Sequence, residues 1–351
     1  MRLAFSGRIK YTCICLLTKR FWIKGPDCGA VRTFLYAAIG RGYVMDKRAL
    51  GHLAALFTVL NWGTTFIATK ILLRAFTPAE ILIFRFVLGV AALFVACPHL
   101  LRVRDRRQEL TFAAAGLTGA CLYYLMENIA LSYTTAANVG VIVTAAPLFT
   151  ALFAWAAGKE EGRPSARFFL GFVTAMAGIC LISFPSLSAV SLDWRGDLLA
   201  LGAAAVWGVY SLLVRQIGTY GYSVLQTTRR TFLYGLVFML PAVFLMDFRW
   251  GLERFADPLY TGTFLYLGIG ACALCFVTWG FAVGVLGAVK TSVYIYLSPV
   301  ITLVCSAAVL HESMTPASLG GAALTLLGLI LSQWDALRGK STTEEKVERL
   351  A

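Results

Sequence analysis

The chain has 351 residues, of which 59% are hydrophobic and only 14% are charged, whereas soluble domains carry about 25% charged residues. This composition excludes an ordinary soluble protein of this length and indicates a protein of the lipid bilayer. The net charge of +13 could suggest a nucleic acid partner, but the basic residues lie in the short links between apolar runs. We therefore expect no nucleic acid binding.

The first 44 residues differ from the rest of the chain. They place basic residues around a short apolar stretch and fit no helix-capping or heptad pattern, and Met45 then opens the charged sequence Met-Asp-Lys-Arg. We interpret residues 1–44 as an extension of the gene model within an N-terminal basic segment, 1–49. A signal peptide is the alternative, although a long apolar stretch with a small-residue cleavage site is missing.

From Leu50 onward, apolar runs recur that are long enough to cross the hydrocarbon core, which takes about 20 helical residues. Backbone groups in lipid must be hydrogen-bonded internally, and the runs lack the alternating polarity of barrel strands, so helices are predicted. The fold class is therefore all-α integral membrane. Ten spans are predicted: Leu50–Ile71, Ala79–Cys97, Leu110–Leu131, Ala137–Ala157, Phe168–Phe184, Asp197–Ile217, Val224–Met246, Thr261–Val283, Val289–Leu310 and Pro316–Gln333.

Basic residues in the links predict the orientation of the spans, because Lys and Arg accumulate on the cytoplasmic side. The bias places both termini in the cytoplasm and the chain in the plasma or inner membrane. Residues 334–351 then form a charged cytoplasmic tail. The basic residues that dominate the bias are Arg102, Arg104, Arg106, Arg107, Lys159, Arg163 and Arg167.

Two halves of the chain, 50–185 and 197–333, share features at fixed offsets. Trp62-Gly63 and Arg85 recur 145 residues later, and Pro147 and Glu160 recur 152 residues later. The later counterparts are Trp207-Gly208, Arg230, Pro299 and Glu312. With five spans each, the halves would cross the bilayer in opposite directions. Such inverted repeats suit alternating access to a central site.

At these residues the sequence resembles the drug/metabolite transporter superfamily, in the branch with paired EamA-type domains. The residues that carry the resemblance are Asn61-Trp62-Gly63, Phe84-Arg85-Phe86, the stretch from Ala130 through Pro147 to Glu160, Gly171, Gly178, Ser298-Pro299, Glu312, Gly321 and Gly328. The resemblance implies a ten-helix carrier of small metabolites such as amino acids, frequently an exporter. It leaves the substrate, the direction of flux, the coupling ion and the oligomeric state open.

Charged residues inside the predicted spans are candidates for function, because a charge at mid-bilayer is costly unless it is paired or hydrated. Arg85 and Glu127 lie at similar depths, so they either form a structural ion pair or leave Glu127 to bind a cationic substrate group or a coupling proton. In the second half, Trp279 occupies the position that matches Glu127, so Arg230 lacks the equivalent acidic partner. We expect Arg230 to stack on Trp279, to extend to the interface, or to meet a substrate carboxylate.

Aromatic and polar side chains near the predicted midplane could line a substrate cavity. The alternative is plain helix packing. The predicted substrate pathway consists of Asn61, Trp62, Tyr123, Tyr124, Glu127, Thr144, Trp207, Tyr210, Tyr294 and Tyr296. Glu160 and Glu312 are expected to cap the helices that follow them.

No cofactor, metal or catalytic site is predicted. Cys272 and Cys275 have metal or redox spacing but lie in the middle of a span, without a nearby His or second cysteine pair. The absence of a phosphate-binding Gly-rich loop argues against ATP hydrolysis, so coupling would use an ion gradient such as protons, exchange or facilitation. The alternatives to a carrier are a non-transporting scaffold or receptor and an intramembrane enzyme, for which no protease pattern occurs.

Overall fold

The structure is a computed structural model and describes residues 46–133, 136–158, 164–183, 193–246, 248–310 and 316–337. All regular structure in these ranges is helical. The first half contains α1 (Lys47–Leu72), α2 (Pro78–Ala96), α3 (Arg106–Ala115), a π-helix (Gly116–Leu122), α4 (Tyr123–Tyr133), α5 (Ala136–Val143), α6 (Ala146–Ala156) and α7 (Ala166–Ser183). The proposed extension 1–44, together with Glu160 and Glu312, lies outside the described residues.

The second half repeats this order of long and interrupted helices. It contains α8 (Trp194–Thr219), α9 (Val224–Leu245), a 3₁₀ helix (Leu252–Ala256), α10 (Pro258–Leu265), a π-helix (Tyr266–Leu274), α11 (Cys275–Leu286), α12 (Ala288–Ser292), a 3₁₀ helix (Val293–Tyr296), α13 (Leu297–Leu310) and α14 (Pro316–Leu337). The two π-helices occupy matching positions, because the first follows α3 and the second follows α10. Subtracting the predicted offset of 152 residues from the second π-helix makes its residue range overlap that of the first.

Several helical runs are long and apolar enough to cross a membrane. Among the described residues there are seven: Lys47–Thr69, Pro78–Ala96, Val139–Ala156, Trp194–Thr219, Val224–Leu245, Pro258–Leu286 and Ala288–Cys305. Two shorter apolar helices, Ala166–Ile182 and Pro316–Ser332, coincide with further predicted spans. The all-α membrane class is thus confirmed, whereas the number of ten spans stays a prediction.

Local sequence signals set the ends of the helices around the site. At the start of α2, the Thr77 hydroxyl accepts a hydrogen bond from the Glu80 amide, and the Glu80 carboxylate accepts one from the Thr77 amide at 2.7 Å. The Asp257 carboxylate caps α10 by accepting from the Leu259 amide at 2.8 Å, with Pro258 in the first helical position. Gly287 ends α11 at a φ of 94°, a conformation that favours glycine.

Helices α7 and α14 pack closely along two glycine contacts. A Cβ atom added to Gly178 would meet the carbonyl oxygen of Gly321, and one added to Gly328 would meet that of Gly171. Gly171 precedes Gly178 while Gly321 precedes Gly328, so the contacts run in opposite order along the two helices. The last helices of the two halves are therefore antiparallel.

A second pair of contacts between the halves also recurs. Gly63 of α1 lies against the side chain of Ile301 in α13, and Gly208 of α8 lies against Phe149 in α6. Gly63 and Gly208 are 145 residues apart, and Phe149 and Ile301 are 152 residues apart. Gly63 and Gly208 are therefore matching residues of the two halves. Each packs against the matching helix of the other half, α13 for Gly63 and α6 for Gly208.

Candidate functional site

Three tryptophans from different helices meet at the centre of the described bundle. The ring centroids of Trp62 and Trp207 are 5.3 Å apart, and Trp279 lies 5.1 Å from Trp62 and 6.1 Å from Trp207. Trp207 is only 4% exposed and Trp279 is fully buried. The contact joins α1 of the first half to α8 and α11 of the second.

Further rings extend this contact into the central aromatic cluster. Tyr123 lies 4.8 Å from Trp207 and 4.9 Å from Tyr124, and Tyr210 lies 5.0 Å from Trp207. These tyrosines bring hydroxyl groups to an otherwise apolar surface. The central aromatic cluster consists of Trp62, Phe86, Tyr123, Tyr124, Trp207, Tyr210, Phe232, Phe276 and Trp279.

Two indole N–H groups in this cluster have no acceptor within the part of the chain that the structure describes. Trp62 Nε1 donates to the carbonyl oxygen of Ala271 at 3.1 Å, but Trp207 Nε1 and Trp279 Nε1 are buried without an acceptor among the described residues. A buried donor left unpaired costs free energy, because it has lost its hydrogen bonds to water. Both N–H groups are therefore available to an acceptor atom of a ligand.

Arg85 lies beside the cluster and is 6% exposed. Its Nε donates to Cys272 Sγ at 3.1 Å, and its Nη2 lies 3.5 Å from the Tyr124 hydroxyl. The guanidinium carbon lies 4.5 Å from the centroid of the Tyr124 ring. No carboxylate of the described residues comes within 4 Å of this guanidinium. Its nearest partners are therefore a thiol and a phenol.

Glu127 is the second buried charge, at 7% exposed, and lies one turn after Tyr123 on α4. Its carboxylate interacts with the Tyr123 hydroxyl and, through space, with the charge of Arg85. The two charges are more than 4 Å apart, so the direct ion pair, one of the two alternatives drawn from their similar depths, is wrong. Depth along the helices does not report rotation, and the rotation places Tyr124 against the guanidinium.

Arg230 has a different partner from those predicted. Its Nε donates to Glu109 Oε1 at 2.9 Å, and the Tyr234 hydroxyl donates to the same oxygen. The guanidinium carbon also lies 5.7 Å from the centroid of the Tyr234 ring. Of the three alternatives predicted for Arg230, stacking on Trp279 is therefore wrong, and extension to the interface or contact with a substrate carboxylate stays a prediction. A side chain that is 32% exposed is not a deeply buried charge.

A second ion pair between the halves lies at the N-terminal end of α2. Arg254 donates to both oxygens of Glu80, at 2.7 and 3.0 Å, and the Arg249 amide donates to Glu80 at 3.0 Å. Glu80 is in the first turn of α2, whereas the carbonyl oxygen of Cys97 at its end accepts from Arg229, the neighbour of Arg230. At 1.5 Å per residue, the Glu80–Arg254 and Glu109–Arg230 pairs are separated by roughly 25 Å.

Five residues of the predicted pathway lie outside the central aromatic cluster, and four of these five have separate partners. The Asn61 amide donates to the Phe57 carbonyl of its own helix, and the Thr144 hydroxyl donates to the Val141 carbonyl. Tyr294 hydrogen-bonds His52, and Tyr296 packs in a separate cluster that includes residues of α7. Trp62, Tyr123, Tyr124, Trp207 and Tyr210 do come together, with Glu127 beside them. The residues missed from sequence are Phe86, Phe232, Cys272, Phe276 and Trp279.

The chain matches the model of the EamA-like transporter family twice, over residues 49–184 and 194–334. An uncharacterised transporter of Archaeoglobus fulgidus is 27% identical over 290 residues, which are 80% of this chain and 96% of the relative. The uncharacterised transporter YwfM of Bacillus subtilis is 29% identical, covering 80% and 94%. A Streptantibioticus cattleyicolor protein named "Probable terminal-alkyne amino-acid exporter" is 28% identical, covering 79% and 91%.

A protein of known crystal structure has the same fold. It superposes with a TM-score of 0.67 over 83% of this chain and 99% of its own length, at 20% sequence identity. At this identity the likeness establishes the fold alone. The buried charges and the unpaired indole groups of the central aromatic cluster are therefore interpreted from their own geometry.

Proposed function

Since this chain belongs to the EamA-like transporter family, we propose that it is a secondary transporter that exports a small metabolite, such as an amino acid, by alternating access. The observation that carries the proposal is the central aromatic cluster, which is built from both halves and lies between the two ion pairs. The relative named as an amino-acid exporter supports both the substrate class and the direction. Multi-pass insertion in the plasma membrane, with both termini in the cytoplasm, is part of the proposal.

Two inverted five-helix repeats are the architecture that we propose for this mechanism. The antiparallel contact of α7 with α14 supports it, because an in-plane two-fold axis would pair these helices in this way. The matched contacts of Gly63 and Gly208 support it as well. Halves related by such an axis can exchange conformations, which opens the central site to one side of the membrane and then to the other.

The ion pairs are the proposed gates of this cycle. In the proposed orientation, Glu80–Arg254 closes the outer end, and Glu109–Arg230 closes the inner end. Both pairs join the first half to the second, so separating the halves at either end must break one of them. Since both are formed in this structure and the cluster is buried, the structure corresponds to a closed intermediate of the cycle.

The proposed pathway uses the charges beside the central aromatic cluster. Glu127 takes either a cationic group of the substrate or a coupling proton, because a buried carboxylate without a cation within 4 Å gains most from a positive partner. The aromatic faces receive the apolar part of the solute. Trp62, Trp207 and Tyr210 line this part of the pathway.

Transport can be tested with purified protein in proteoliposomes. We expect counterflow of at least one labelled solute from a panel of amino acids, nucleosides, sugars and polyamines, and we expect the same solute to raise the unfolding temperature. Inverted membrane vesicles should accumulate it, as an exporter requires. If neither counterflow nor stabilisation occurs with any solute, a non-transporting scaffold or receptor becomes the better explanation.

A further inference from the structure

We propose that Arg85 and Glu127 together bind the carboxylate and the ammonium group of a zwitterionic α-amino acid, whose side chain lies on the central aromatic cluster. This inference rests on the proposed transport function and assigns its substrate class. It is carried by two buried charges of opposite sign, neither of which has a partner of opposite charge within 4 Å among the described residues. Each step below follows from their contacts.

The Arg85 guanidinium has five N–H donors, and its two hydrogen-bond partners are uncharged in their ordinary states. A thiol and a phenol satisfy part of its donor capacity but supply no counter-charge. Burying a guanidinium in this way is costly, and a structural arginine would gain more from a carboxylate. The remaining N–H donors of Arg85 suit a planar anion that accepts two parallel hydrogen bonds, as a carboxylate does.

Glu127 likewise has no partner of opposite charge within 4 Å among the described residues. It is 7% exposed, and no Lys, Arg or His side chain within the described ranges lies within 4 Å of it. Its local partner is Tyr123, while the next residue, Tyr124, is the partner of Arg85. Each charge therefore has one of two adjacent tyrosines as its neighbour. The two charges are close enough to interact electrostatically but are more than 4 Å apart.

One molecule that carries both charges at a short separation satisfies both groups at once. An anion would leave Glu127 uncompensated, and a cation would do the same to Arg85. A zwitterion adds no net charge to a site that holds one charge of each sign, so the occupied site stays neutral inside the bilayer. Among small solutes, α-amino acids carry an ammonium group and a carboxylate on the same carbon atom.

The surroundings indicate which side chain the amino acid would have. Tyr123 lies 4.8 Å from Trp207, so the charge pair opens directly onto the central aromatic cluster. These rings offer a broad apolar surface for a large apolar or planar side chain. The unpaired Nε1 atoms of Trp207 and Trp279 add two donors for acceptor atoms of the substrate.

The test compares matched ligands on the full-length protein in proteoliposomes. Phenylalanine, leucine and methionine are each compared with the amine that lacks the carboxylate and with the N-acetyl derivative that lacks the ammonium group. We expect counterflow of at least one amino acid and at least about 30-fold weaker binding of both of its derivatives, since leaving one buried charge unpaired is costly.

Two variants separate recognition from folding. Arg85→Gln should lose the preference for the amino acid over its amine, and Glu127→Gln should lose the preference over its N-acetyl derivative. Arg195→Gln and Glu253→Gln change exposed residues of the same types and should keep both preferences. If a variant does not fold, the ligand comparison on the unaltered protein still decides the matter.

Three results would overturn the assignment. Equal counterflow of an amino acid and its amine or N-acetyl derivative would show that the two charges are not both read. Counterflow of other solutes but of none of the three amino acids would overturn this site while leaving the transport function intact. Absence of counterflow for every solute would remove both.

Discussion

Replacing Glu80 by Gln tests whether its ion pair with Arg254 closes the outer end of the pathway. The substitution is nearly isosteric, and a Gln oxygen can still accept from the Thr77 amide, so the start of α2 stays capped. What is lost is the charge together with one of the two acceptor oxygens that face the Arg254 guanidinium and the Arg249 amide. The variant therefore breaks the ion pair at the closed end while it keeps the cap of α2.

The size of the effect follows from the burial of the two partners. Glu80 is fully buried, and removing one member of a buried ion pair costs about 3–5 kcal/mol. Arg254 is 19% exposed and can regain water, so we expect about 2–3 kcal/mol for the closed outer end. A change of this size shifts the equilibrium between closed and open ends by about 30- to 150-fold.

Labelling of Cys272 measures the opening. This cysteine is fully buried beside Arg85, so a membrane-impermeant thiol reagent added from outside reaches it only when the outer end is open. In a background without the other cysteines, Glu80→Gln should raise the labelling rate at least tenfold. Glu253→Gln, a change at an exposed neighbour of Arg254, should not.

The labelling of Cys272 can also refute the proposed role of the Glu80–Arg254 pair as a gate. Glu109→Gln breaks the inner ion pair, whose partners are 27% and 32% exposed, so it should favour inward opening and should not raise labelling from outside. If Glu80→Gln leaves both the labelling of Cys272 and the rate of transport unchanged, the Glu80–Arg254 pair is a structural contact and not a gate. Equal labelling in both variants would contradict the assignment of the two ends.

Two further substitutions test the central aromatic cluster and the contact between the halves. Trp207→Phe keeps an aromatic ring but removes an N–H that has no acceptor among the described residues, and the smaller ring should lower the free energy of unfolding by about 1–3 kcal/mol while ligand binding weakens; Trp194→Phe, at an exposed position, is the control. Equal binding by both variants would exclude Trp207 Nε1 as a ligand donor. Gly178→Ala should destabilise the fold by about 1–3 kcal/mol in a denaturation assay, because its Cβ would meet the backbone of α14; Gly320→Ala, with open space, should not. Equal stability of the two would contradict the close α7–α14 contact.

The sequence predicted the helices better than the site, for a physical reason. Hydropathy reports how long a segment stays apolar, and the predicted span Val224–Met246 differs by one residue from α9. It does not report the rotation of a helix about its axis. Asn61 and Trp62 are neighbours in sequence, yet only Trp62 enters the central aromatic cluster, because successive helical residues point about 100° apart.

The residues missed from sequence were missed because their types are ordinary in a membrane helix. Phe276 and Trp279 have the same composition signal as any lipid-facing aromatic side chain. Glu109 lies one residue before the predicted span Leu110–Leu131, so a search for charges inside the spans does not select it, although it pairs with Arg230. The π-helices depend on a change in backbone hydrogen-bond register, for which hydropathy contains no signal.

The differences between the halves explain why a duplicated chain can hold one charge pair. Arg85 and Arg230 occupy matching positions, but the position matching Glu127 holds Trp279, so the second half lacks the matching carboxylate that the proposed zwitterion site uses. Trp279 instead lies in the central aromatic cluster, and Arg230 pairs with Glu109. We infer that one repeat specialised in binding the charged groups, while the other contributed apolar surface and a gate. One substrate per chain at saturation is the stoichiometry that this division requires, and equilibrium binding of a labelled substrate would contradict it by giving two.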